Sequence, residues 1–158
     1  MLPTIATSPA SASLPARVNT PRPTAASAQI SDLNLAARQR MLSQRMVMQT
    51  LLAAGGDSHQ LSAARATFEL FCDSHARLLG TMSHYDAPSA ARLHAVYEGP
   101  QGVSATIQAF MDLMRAALDH IAKRSPRTQS VLESIVDATD SVLEALNAAT
   151  NAFDAVTT

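Results

Sequence analysis

Four stretches of apolar residues at three- and four-residue spacing, parted by glycine and proline breaks, commit this chain to packed helices. The first helix is predicted to start at Ser31 or Asp32, either of which can cap, and to run to about Ala54, where Gly55-Gly-Asp57 stops it. Asp57 or Ser58 caps the second, whose stripe is Leu61, Ala64, Phe68, Phe71/Cys72, His75, Leu78/Leu79 and Met82. From Ser83 to Gly102 the pattern weakens: Asp86-Ala-Pro-Ser89 reads as a turn with a cap, Ala90 to Tyr97 as two helical turns, and Gly99-Pro-Gln-Gly102 as a second break. The third helix aligns Val103, Ile107, Phe110, Met114, Leu118 and Ile121. Ser125-Pro126 is the predicted start of the fourth, with Pro at the first helical position. That helix buries Val131/Leu132, Ile135, Val142, Leu146, Ala149 and Phe153 and turns Glu133, Asp137, Asp140 and Glu144 to water. Val and Ile are scattered, so no strand is predicted.

The expected fold is therefore all-α: an antiparallel up-down-up-down four-helix bundle over residues 30–156. Residues 1–29 carry Pro, Ser, Thr and Ala with Arg17 and Arg22 as their only charges, too little apolar content to offset ordering entropy. They are expected to form a disordered leader. Ala25-Ala-Ser-Ala-Gln29 has the look of a cleavage site but no apolar run precedes it.

The remaining composition mostly excludes. A net charge of -1 over 158 residues gives no bias toward nucleic acid. No run reaches the roughly 18–20 apolar residues of a membrane span, so a soluble chain is expected, cytoplasmic by default, with export left open. The single Cys72 rules out an internal disulfide and a thiolate zinc cluster. Glu-x-x-His repeats for a di-iron bundle are missing, and His59, His84, His94 and His120 lack ligand spacing. The methionines read as core filler. His75 lies on a buried stripe with its glycine five residues on, which argues for a core histidine over a phosphotransfer one. A helical mutase using a first-helix arginine on a dianion would want more cations than the lone Lys123 supplies. The chain is read as a non-enzyme that needs no cofactor and no metal.

The first helix is unlike the others. Arg38, Arg40 and Arg45 fall within eight residues, and no carboxylate occurs from Leu33 to Gly56. Exposed helices usually interleave acids at i,i+4 with such cations. Wound at 100° per residue, one face collects Ile30, Leu33, Ala37, Met41, Gln44, Met48 and Leu51. A second, roughly opposite, collects Leu35, Leu42 and Met46 with Arg38 beside them. A helix apolar on two sides has two packing partners. Between the faces lie Ala36, Arg40, Ser43 and Val47, small residues around one long cation. A two-fold pair of such helices would bring two Arg40 side chains together, and an oxyanion between them would relieve the repulsion. The competing reading is a helical scaffold whose arginines pair internally with Asp112, Asp119, Asp137 or Asp140.

Leu33-Asn-Leu-Ala-Ala-Arg-Gln-Arg-Met-Leu-Ser-Gln-Arg-Met46 resembles the signature Ile-Asn-x-Ala-Gly-Arg-Gln-Arg-Met-Leu-Ser-Gln-Arg. That signature opens the PilJ-type domain, the N-terminal sensor domain of type IV pili methyl-accepting chemotaxis transducers, and is similar to a more divergent box in nitrate/nitrite sensor kinases. Beyond the box the likeness is limited to helix order and pieces such as Phe68-Glu-Leu-Phe71. The resemblance implies a sensor bundle that dimerises through its first helix and holds a small inorganic anion of the nitrate/nitrite class across the dimer axis. One arginine per subunit binds it, and the matching position is Arg40. The family glycine one turn earlier is Ala37 here, so a methyl group enters the site. Asn34, Arg38, Ser43, Gln44 and Arg45 also match and are expected to pack or to support the site. Family receptors carry flanking membrane spans and a signalling module; with neither in this sequence, a separate downstream signalling protein is the expected listener.

Overall fold

The computed structural model describes residues 24–100 and 102–158, and every regular element in them is helical. Five α-helices form rather than four: α1 (Ala25–Ala54), α2 (Ser58–Thr81), α3 (Ala87–Glu98), α4 (Val103–Ala122) and α5 (Thr128–Thr157), with a 3-10 turn at Met82–His84. The extra element, α3, comes from the stretch where the apolar pattern was weakest. Asp86 caps it by accepting from the Ser89 N–H at 2.9 Å, Pro88 sits in its first turn, and Leu93 and Tyr97 are buried.

Two helix starts differ from expectation. α1 begins at Ala25, capped by the Thr24 hydroxyl accepting from the Ser27 N–H at 3.3 Å, so Ala25–Gln29 belong to the helix and not to the leader. Residues 1–23 of the expected leader lie outside the described residues. Asp32 does not cap because it is buried, accepting a 3.2 Å hydrogen bond from the Tyr85 hydroxyl. α5 begins at Thr128, and Pro126 falls in the preceding turn. Ser125 joins the two helices: its N–H closes α4 by donating to the His120 carbonyl at 2.9 Å, and its hydroxyl accepts from the Arg127 N–H at 3.2 Å, the capping bond expected of it.

The two long turns at this end share one hydrogen-bond pattern. After α1, Gly56 N–H reaches the Ala53 carbonyl and Asp57 N–H the Leu52 carbonyl; after α4, Arg124 N–H reaches Ile121 and Ser125 N–H reaches His120. Both need a left-handed residue at the bend. Gly56 has φ 108 and Arg124 has φ 51. The first site has the residue that geometry favours; the second holds an arginine against it.

α1 packs on α2 and α5, α4 on α5, and α3 on α4 and α5. The core runs through all five helices. Phe71 of α2 meets Phe110 of α4 edge-on at 6.2 Å, and Tyr97 of α3 meets Phe153 of α5 at 6.3 Å. Among the described residues, no helix is long and apolar enough to cross a membrane.

Candidate functional site

α1 uses its inner face in an unusual way. Beside Ala36, Leu42, Met46 and Ala53 it buries Asp32, Gln39, Ser43, Gln49 and Thr50. Most of these polar groups find partners. Gln49 accepts from Thr67 of α2 at 2.7 Å, Gln39 donates to the Phe71 carbonyl at 3.4 Å, and Thr50 and Ser43 donate back to α1 carbonyls at Met46 and Arg40. The Gln39 Oε1, His75 Nδ1 and Tyr97 hydroxyl are buried with no hydrogen-bond partner among the described residues. Burial pushes the His75 pKa below its ordinary value, and its ring stacks on Tyr97 at 6.2 Å.

The outer face is the reverse. Ile30, Asn34, Ala37, Met41, Gln44, Met48 and Leu51 are all exposed, and they follow one another at alternating steps of four and three. That is the spacing of a coiled-coil seam, turned outward. Met41 is 54% exposed and Met48 56%. Leu52 is exposed beside the seam, and so is Leu70 of α2. Leu70 stands seven residues before Arg77, on the side of α2 from which Arg77 donates to Ser31 of α1 at 3.3 Å.

The sequence-predicted residues divide accordingly. Asn34, Ala37 and Gln44 are on the seam itself. Arg40 is exposed along one edge, while Arg38 and Arg45 are exposed along the other. Ser43 is buried, its hydroxyl 2.7 Å from the Arg40 carbonyl, and Ala36 is buried too. The small-residue strip expected to receive a second helix is therefore used inside the subunit, which leaves Arg40 at the rim of the outward ridge rather than between small neighbours. Leu33, expected on the outer face, is half-buried, and Asn34 is exposed there in its stead.

Among the described residues, none of the three arginines has an ion pair. The pairs present are Arg115–Asp112 at 2.9 Å, Lys123–Asp119 at 2.9 Å and His94–Glu98 at 3.8 Å. Two of the four acids expected to neutralise α1 are thus engaged by neighbours on their own helix. No His, Cys, Asp and Glu cluster suited to a metal occurs among the described residues.

The outward heptad was legible only in part. Its members from Ala37 to Leu51, Gln44 included, were read on one face, but Leu33 was placed there where Asn34 is the exposed residue in register. Compared with protein-family models, curated proteins and solved structures, the chain matches none.

Proposed function

We propose that this chain is a non-enzymatic helical sensor domain of the PilJ type. In this reading it pairs with a second copy through the outer face of α1 and binds a small oxyanion with Arg40 from both copies, Ala37 lying beside it. The four long helices form an up-down-up-down bundle, and α3 caps the connection between the second and third. The observation that carries the reading is the outward seam of α1, edged by cations that have no ion pair among the described residues.

Magnitudes support a pair that depends on its ligand. A half-exposed Met, Leu or Ile still has about 1 kcal/mol to gain from burial. The five exposed side chains Ile30, Met41, Met48, Leu51 and Leu52 therefore bring roughly 10 kcal/mol to a symmetric pair, close to the cost of association. Two guanidiniums about 6 Å apart repel by roughly 3 kcal/mol at an effective dielectric of 20. An anion between them removes that penalty, and arginine suits a planar oxyanion because it can donate two parallel hydrogen bonds. The ligand then favours the paired state over the single one, which is how a sensor moves a population. With the signal carried in pairing, a downstream signalling protein would read the dimer.

Calorimetric titration of nitrate into the protein and into Arg40→Ala tests this. Heat from the first and none from the second is the expected outcome. Heat from neither would leave a helical scaffold that binds nothing there.

A further inference from the structure

We propose that the cleft at the turn end of the helices is a second binding site, and that it takes a small monocarboxylate with a hydrocarbon body. The cleft has a volume of about 510 Å³, within the range of small-molecule sites. Four helix ends converge on it. Ala53, Leu61 and Ile121 give its lining apolar surface, and Ser58, Ser125 and Thr128 add hydroxyl groups, of which Thr128's already donates to the Ser125 carbonyl. Among the described residues, the one charged side chain in the lining is Arg124. It has no ion pair among the described residues, and no carboxylate lines the cleft.

That combination selects the ligand. A lone guanidinium matches the single charge of one carboxylate, fork to fork, better than the double charge of a phosphate dianion. The apolar surface rewards a hydrocarbon body and gives nothing to an inorganic ion. The cleft is distant from the proposed anion site: Ala53 lies thirteen residues beyond Arg40, about 20 Å along the helix.

The test is an NMR-monitored titration of the full chain with hexanoate, beside hexanol and nitrate. The site requires saturable shifts at Leu61, Ile121 and Thr128 with hexanoate and much weaker ones with hexanol. Arg124→Asn keeps a residue that tolerates the left-handed bend and should weaken hexanoate at least about tenfold; Arg124→Lys should recover part of that loss. Ala122→Glu, at the exposed lip, should abolish binding by repulsion. Arg40→Ala should leave hexanoate unchanged, which separates this site from the α1 surface. No saturable shift at these residues, equal binding of hexanol, or unchanged affinity in both Arg124→Asn and Ala122→Glu would overturn the proposal, whatever nitrate does at Arg40.

Discussion

α1 and α5 are both 30 residues long and pack against each other, yet they distribute their side chains in opposite ways. α5 buries only apolar residues, from Leu132 to Phe153, and leaves one large hydrophobic side chain, Val136, exposed. Among the described residues, α1 holds five of the seven buried polar side chains and five of the eight exposed large hydrophobic ones. Length is matched, though α1 also lies on α2 where α5 also lies on α4 and α3, and the contrast lies in what each helix must satisfy. The order of residues in α5 follows from its own subunit's core. That of α1 does not, because a helix selected for this core alone would exchange Gln39 and Gln49 with Met41 and Met48. The outward ridge is the part of the sequence that the single subunit leaves without a physical reason.

The sharpest way to test the contrast is to cut one side chain from each helix. Phe153→Ala should cost about 3–5 kcal/mol in denaturant unfolding, as expected for a fully buried aromatic. Met48→Ala should leave the unfolding of dilute, unpaired protein within about 0.5 kcal/mol of the original. A large loss from Met48→Ala in dilute protein would mean that the outer face already serves the subunit's own core.

The polar interior of α1 gives a smaller effect. Tyr85→Phe removes the donor to the buried Asp32 carboxylate and should cost about 1–3 kcal/mol, read from the unfolding midpoint. Stability should also fall in mild acid. His75 is held below its ordinary pKa of 6.5 by burial, so the unfolded chain takes up the proton first. The stability due to neutral His75 is complete above 6.5 and is lost as pH falls from there toward the folded-state value. His75→Leu should flatten that slope in a pH series of unfolding curves; an unchanged slope would assign it to other groups. The smallest effect concerns the two turns. Replacing Arg124, at φ 51, by glycine should raise stability by about 0.5–1 kcal/mol, since only the arginine resists the left-handed bend.

These cases also show how far the sequence could be read. The helical class, the stop at Gly55-Gly56, the Asp57 cap and nearly the whole buried faces of α4 and α5 follow from local pattern, and the structure bears them out. Features set by distant contacts were illegible. Asp32 looks like a cap until Tyr85, 53 residues away, is seen to bind it. At the candidate surface, the cations of α1 and their lack of nearby acids were plain from the sequence. Which strip of α1 stays outside was not, because both of its faces carry apolar residues at helical spacing. Arg124 gave no signal at all, since its place in the cleft comes from the way two turns meet.

The most direct measurement is the mass of the full chain by sedimentation, with and without nitrate, beside Met48→Lys. A cation added to a cationic ridge should oppose pairing without touching the subunit's core. The account predicts a dimer that nitrate strengthens and that Met48→Lys dissociates. A chain that sediments as a monomer at every concentration, with nitrate and without, would contradict it.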